Sequence, residues 1–108
     1  MATRANIKII GSNETVYLYK HNDGYPDGLG NDLKQFITDY GYFSYNYYPF
    51  TYKLLKTYPD IKETNSIHGD ISYLYVINLR KKTLECFKCN YEYGEFPKYT
   101  RTYNKVEL

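Results

Sequence analysis

The chain has 108 residues, of which 43% are hydrophobic and 24% are charged, and this is typical of one globular domain with its own core. A net charge of +2 is too small to indicate nucleic-acid binding by charge alone, which leaves a nucleic-acid partner open. No apolar run approaches the roughly 20 residues of a membrane-spanning helix, so we expect no membrane partner. The unusual feature is 16 Tyr and 5 Phe with no Trp. This content favours a broad sheet or an interface, although a codon bias toward Tyr, Asn, Lys and Ile explains it equally well.

The N-terminal segment predicts an antiparallel hairpin. Residues 7–10 (IKII) and 15–21 (TVYLYKH) are rich in β-formers, and residues 11–14 (GSNE) are typical of a turn. Alternation places the side chains of the second strand on two faces. One face carries Val16, Leu18 and Lys20, and the other carries Tyr17, Tyr19 and His21.

Residues 20–33 (KHNDGYPDGLGNDL) form the densest stretch of the chain. Nearly every position in this stretch is explained by a corner between a strand and a helix, because glycine, proline and aspartate favour turns. If this corner also functions, it presents His21, Asp23 and Tyr25. A cation held by His21, Asp23, Asp27 and Asp32 is a weaker alternative, because the spacing of an EF-hand is absent. The segment matches neither a P-loop nor a dinucleotide fingerprint, and we predict no cofactor.

A helix is predicted over residues 30–40 by an apolar stripe. The stripe contains Leu29, Leu33, Phe36, Ile37 and Tyr40. Asn31 or Asp32 is expected to cap its start, and Gly41 lies where a C-cap glycine belongs.

The second half of the chain predicts further strands. Residues 50–58 indicate a short helix ended by Pro59, and residues 62–70 indicate a polar loop. Residues 71–78 form the clearest strand, expected to be central, with Ile71, Tyr73, Tyr75 and Ile77 on one face. Residues 83–93 are its hairpin partner, and 94–108 are an edge strand or a loose arm. This order, β-β-α-(α)-β-β, predicts a single α+β domain with four or five mostly antiparallel strands and one or two helices on one face.

A basic cluster lies on or beside the last hairpin. The cluster contains four basic residues and one acidic residue, Glu85, with aromatic residues between them. The basic residues are Arg80, Lys81, Lys82 and Lys88. A solvated turn is the simplest interpretation, while a phosphate-binding patch or a patch for an acidic partner remains open. Cys86 and Cys89 are three apart, so a continuous strand would direct them to opposite faces, which disfavours a zinc or redox pair.

Three segments of the chain are distinctive: MATRANIKI at the N-terminus, VYLYKHNDGYPDGLGNDL with its His-x-Asp-Gly-Tyr-Pro motif, and GDISYLYVIN farther along. Together they resemble a family of small bacteriophage proteins. Family members often carry Trp where this chain has Asn22. The resemblance covers about the first forty residues plus 69–77, and it implies a phage or prophage origin without implying an activity.

Three functions follow as hypotheses. The first is a non-enzymatic counter-defence protein, similar in action to an anti-CRISPR, that binds a host defence complex. Its expected binding residues are exposed tyrosines of 42–58, among them Tyr47, Tyr48 and Tyr52, together with Arg80, Lys81 and Lys82. The second is a sponge for a cyclic or ADP-ribose-like nucleotide signal, built at a homo-oligomer interface. The third is a small metal-dependent hydrolase around His21, Asp23 and Asp27. Because the N-terminus lacks the hydrophobic segment of a signal peptide, we expect the host cytoplasm as the location.

Overall fold

The computed structural model describes residues 3–11, 14–41, 47–93 and 99–108, with the side chains of 47–49, 92–93 and 99–100 outside that set. Its strands are β1 (Ala5–Ile10), β2 (Thr15–Lys20), β3 (Ile61–Thr64), β4 (Tyr73–Asn78), β5 (Thr83–Tyr93) and β6 (Tyr99–Val106). The helices are α1 (Asn31–Tyr40) and α2 (Tyr47–Thr57). Together they form one α+β domain with both helices on one face of the sheet, as predicted.

The sheet has the order β3-β2-β1-β4-β5-β6. The first hairpin pairs Ile10 with Thr15, and β4 pairs with β5 through Asn78 and Thr83. The two hairpins join through the parallel pair β1–β4, while every other neighbouring pair is antiparallel. β4 is therefore central, as predicted, and β6 shows that the C-terminal segment supplies an edge strand.

The main core lies between the sheet and the helices. Inward side chains of the central strands pack with the apolar stripes of α1 and α2. The largest fully buried members are Ile7, Ile9, Leu18, Leu29, Leu33, Phe36, Phe50, Leu54, Ile61, Tyr75 and Ile77. Lys20 is also buried on this face, at 7% exposure, and its ammonium pairs with Asp60.

Four sequence predictions need correction. The strand β3 lies in the predicted loop, because Ile61 supplies its one buried anchor and the following side chains are polar. α2 begins at Tyr47 rather than Phe50. Neither Asn31 nor Asp32 caps α1, since Gly30 occupies the N-cap after a π-helical turn at Pro26–Gly30.

The fourth correction concerns Ile71. It lies in a second apolar cluster on the opposite side of the sheet from Tyr75 and Ile77. The N–H groups of Ser72 and Tyr73 both point to the Arg4 carbonyl oxygen, at 2.8 and 3.4 Å. β4 begins at Tyr73, so Ile71 precedes the strand, and the alternation of β4 does not set the direction of the Ile71 side chain.

Candidate binding face of the sheet

The face of the sheet that points away from the helices carries half-buried aromatic and aliphatic side chains. We call it the open face. Register and alternation assign its members, since residues opposite each other in paired strands share a face. Its half-buried or exposed large hydrophobic residues are Ile10, Tyr17, Tyr19, Val76, Phe87, Tyr91 and Tyr103. Neither described helix covers this face.

A segment between β3 and β4 lies over part of the open face and is fixed there by Asn6. This asparagine is fully buried, and its Nδ2 donates to the Leu18 carbonyl at 2.8 Å. Its Oδ1 accepts the backbone N–H of His68 at 2.7 Å. Asn6 therefore positions residues 65–72 against the sheet, and the imidazole of His68 with them.

The two histidines, which nothing in the sequence brings together, both contact Tyr19. The His68 ring stacks on the Tyr19 ring with centroids 4.1 Å apart and planes at 18°. The Tyr19 hydroxyl lies 3.3 Å from Nδ1 of His21. Burial, followed by the nearby carboxylate of Asp70, raises the pKa of Tyr19, so this hydroxyl stays protonated and can donate.

Arg4 adds a cation to this cluster. Its Nε lies 3.4 Å from Nδ1 of His21 and 3.5 Å from Oδ2 of Asp70. Because a guanidinium only donates, Arg4 is the donor in this contact with His21. The cluster of Arg4, Tyr19, His21, His68 and Asp70 thus combines a cation, a carboxylate and stacked rings at one end of the sheet.

A second aromatic group on the open face surrounds Arg101. The guanidinium carbon lies 5.5 Å from the centroid of Tyr91 and 6.0 Å from that of Tyr103. Its Nη1 also donates to the Tyr103 hydroxyl at 3.0 Å. The Tyr91 hydroxyl is directed to the carbonyls of Gly69 and Ile71, at 2.5 and 3.0 Å, which links β5 to the segment over the face. Arginine between tyrosine rings binds planar or anionic partners well, both at protein interfaces and on nucleotides.

Charge on the open face is predominantly positive. The described side chains include five cations, Arg4, Lys8, Lys62, Arg101 and Lys105. Two of these pair with carboxylates, Arg4 with Asp70 and Lys105 with Glu85. The surplus of positive charge favours a partner that carries carboxylates or phosphates.

The corner predicted at residues 20–33 has a structural role. The Gly24 N–H donates to the Thr3 carbonyl at 2.9 Å, and the Gly24 carbonyl accepts the buried Tyr75 hydroxyl at 2.7 Å. A Cβ at Gly24 would lie 2.7 Å from that of Ala5, so only glycine fits. Asp23 has a φ of 58°, and its carbonyl accepts the Leu29 N–H at 3.0 Å.

The corner presents all three of its predicted binding residues. His21, Asp23 and Tyr25 are exposed, and His21 reaches the open face through Arg4 and Tyr19. Within the described ranges, no three His, Cys, Asp or Glu side chains come close enough together to hold a metal ion.

Three of the other predicted binding residues lie at the far end of the sheet. Arg80, Lys81 and Lys82 form the β4–β5 turn, where Asn78 Oδ1 accepts the first two N–H groups at 3.1 and 3.0 Å. Tyr52 is 56% exposed on α2, while the Tyr47 and Tyr48 side chains and residues 42–46 lie outside the described set. The sequence prediction therefore joined residues from both ends of the sheet, and it missed Arg4, His68 and Arg101.

The two thiols point to opposite faces, as the spacing predicted. Cys86 belongs to the main core and Cys89 to the second cluster. Burial raises the pKa of Cys86 to about 11 and also raises that of Cys89. Both are thus protonated at neutral pH and are poor nucleophiles.

Comparisons with known proteins add no relative. No family model, no curated protein and no solved structure matches the chain. No helix among the described residues is long and apolar enough to cross a membrane.

Proposed function

We propose that this chain is a small phage-encoded accessory protein that inhibits a host defence complex by binding one of its subunits through the open face. The observation that carries the proposal is that neither described helix covers this sheet face, where half-buried aromatic side chains are combined with surplus positive charge. Tyrosine and arginine are, together with tryptophan, the residues most enriched among strong contributors to protein interfaces. The phage origin comes from the sequence resemblance and supplies the counter-defence role.

The chemistry of the partner follows from the charges. Lys8 and Lys62 lie on β1 and β3 of the open face, while among the described residues the carboxylates of Asp70 and Glu85 pair with Arg4 and Lys105. An acidic protein surface would gain attraction from these two lysines and apolar contact from the tyrosines beside them. The mode of action is stoichiometric, because occupying a surface needs no chemical step.

A quantitative pull-down from host lysate tests this proposal. Three tagged baits are compared: the wild-type chain, a Lys8→Glu/Lys62→Glu variant of the open face, and a Lys34→Glu/Lys53→Glu variant of the helices. Both variants change the charge by the same amount at side chains that lie outside the core. Wild type and the helix variant should recover a defence subunit in stoichiometric amount, and the open-face variant should recover about tenfold less. Equal recovery by all three baits would remove the open face from the proposal.

One observation favours a second candidate, a nucleotide sponge. Arg101 lies against two tyrosine rings, and a phosphate with a stacked base would use the same groups. A nucleotide found in the heat-released fraction of the same pull-down, without a protein partner, would favour it. A thermal shift with that nucleotide that disappears in Arg101→Ala would place the site.

A further inference from the structure

The outer edge of β6 pairs with no described strand, because β6 is last in the order of the sheet. β6 pairs with β5 over eight consecutive residues in one continuous register, whereas the opposite edge strand, β3, has four residues. Natural proteins usually shorten, bend or cover their edge strands, since the unpaired backbone groups of an edge bind other chains. The long and regular edge of β6 is therefore a candidate for pairing with a strand of a partner.

The backbone groups at this edge belong to Arg101, Tyr103 and Lys105. The Cys89 N–H donates to the carbonyl of Ser72, just before β4, at 2.8 Å, so the backbone groups of Cys89 point away from β6. In an antiparallel ladder, residue pairs that exchange hydrogen bonds alternate with pairs that do not. Cys89 is opposite Tyr103, so the N–H and C=O of Tyr103 point to the outer edge. Alternation gives Arg101 and Lys105 the same orientation, and among the described residues no backbone hydrogen bond reaches these outward groups.

The side chains beside this edge define the charge of the partner strand. Arg101 and Lys105 lie on the open face of β6, and Tyr103, which is 42% exposed, lies between them. Glu85 on β5 pairs with Lys105 at 3.3 Å, while Arg101 has no carboxylate partner among the described residues. Residues 99–106 contain no carboxylate, so a second copy of β6 would add only further cations along the same seam. Charge thus favours an acidic strand over a second copy of the chain.

We propose that β6 binds an extended acidic segment of the partner protein as an added antiparallel strand. The inference rests on the proposed function for the identity of the partner, and it adds the way in which that partner docks. The segment exchanges backbone hydrogen bonds with the three outward residues of β6, which supplies affinity. Its alternate side chains continue the open face, with carboxylates opposite Arg101 and Lys105 and a large side chain opposite Tyr103.

An NMR titration of the full-length chain with a synthetic peptide tests this docking mode. The probe is acetyl-Val-Glu-Thr-Tyr-Thr-Glu-Val-amide, in which both Glu side chains and the Tyr side chain share one face. In the free chain, the three outward amides of β6 should exchange with solvent faster than the amides of Thr102 and Asn104, which pair with β5. The peptide should shift the outward amides saturably and slow their exchange, with a Kd on the order of 0.1 mM. Absence of a saturable shift would overturn the proposal.

Modified peptides separate strand addition from simple charge attraction. N-methylation of the Tyr, whose N–H faces β6 in the antiparallel arrangement, should weaken binding at least about tenfold. N-methylation of a neighbouring Thr, whose N–H faces solvent, is the matched control and should leave the affinity nearly unchanged. Replacement of both Glu by Lys should also weaken binding at least about tenfold. Equal affinity for the two methylated peptides would overturn strand addition.

Two substitutions at one position test the protein side. Tyr103→Pro removes the outward N–H, Tyr103→Ala keeps it, and both remove the ring. Peptide affinity should be at least about tenfold lower in the proline variant than in the alanine variant, and equal affinity would overturn the proposal. Sedimentation equilibrium of the wild-type chain should show a monomer. A dimer that Tyr103→Pro dissociates would assign the edge to a second copy and would also overturn the proposal.

The pull-down described above distinguishes failure of this inference from failure of the proposed function. If the peptides bind as expected and no defence subunit is recovered, the counter-defence role fails while strand addition at β6 is supported. If Tyr103→Pro and Tyr103→Ala baits recover a defence subunit equally well, strand addition is overturned while the counter-defence role stands.

Discussion

Replacing Asn6 with alanine should release the segment over the open face while leaving the helices in place. The substitution removes the acceptor of the His68 N–H, at 2.7 Å, and the donor to the Leu18 carbonyl, at 2.8 Å. Loss of the first bond leaves a part-buried N–H without a partner, which costs about 1–3 kcal/mol, and loss of the second costs about 1 kcal/mol. The free energy of unfolding should therefore fall by roughly 2–4 kcal/mol.

This loss is measurable in two ways. With about 4–8 °C per kcal/mol for a domain of this size, the melting temperature should fall by roughly 8–32 °C. Hydrogen exchange of the amides of residues 65–72 should accelerate more than that of the central strand β4, because the segment loses its anchor and the stack of His68 on Tyr19. Lys8→Ala on the same strand is the matched control, with a change within about 0.5 kcal/mol.

The reasoning would be refuted by an Asn6→Ala variant within 1 kcal/mol of wild type. It would equally be refuted by exchange of residues 65–72 at the wild-type rate, since the segment would then have another anchor.

Three further predictions concern the interior. Tyr75→Phe should cost about 1–3 kcal/mol in urea unfolding, because the Gly24 carbonyl loses its donor; a smaller cost would show that another group replaces the hydroxyl. Iodoacetamide should alkylate Cys86 at pH 8 at least about 100-fold more slowly in the native chain than in urea, and similar rates would contradict its burial and its raised pKa. The hydrogen bond from Lys20 lowers the pKa of Asp60 in the folded protein. The pair therefore stabilises the fold fully at pH values above the ordinary carboxyl pKa of about 4, and this stabilisation is lost as the pH falls through the lower pKa of the folded state. Asp60→Asn should therefore be about 1 kcal/mol less stable than wild type at pH 7, and unfolding curves should converge in acid; a difference independent of pH would contradict this account.

The parts of the fold that sequence predicted are those fixed by local chemistry. Alternation in residues 15–21 placed Tyr19 and His21 on one face, and the glycine at position 41, with a φ of 74°, ends α1 as expected. β3 was missed because an edge strand needs few buried side chains, and Ile61 is its one buried residue.

The candidate site depended on contacts distant in sequence, which periodicity does not encode. Asn6 holds His68 from 62 positions away, and Ile71, which precedes β4, packs in the second cluster on the open-face side of the sheet. Arg101 meets Tyr91 only after β6 returns along β5. The sequence therefore identified the tyrosine-rich character of the surface but not the residues that assemble it.

The most direct test of the central proposal is a phage-plating assay in a host that carries the defence complex recovered by the pull-down. Expression of the wild-type chain should restore plating of a sensitive phage, as should the Lys34→Glu/Lys53→Glu variant. The Lys8→Glu/Lys62→Glu variant should fail to restore it while folding normally by circular dichroism. Full restoration by the open-face variant would contradict the proposal that this face binds the defence complex.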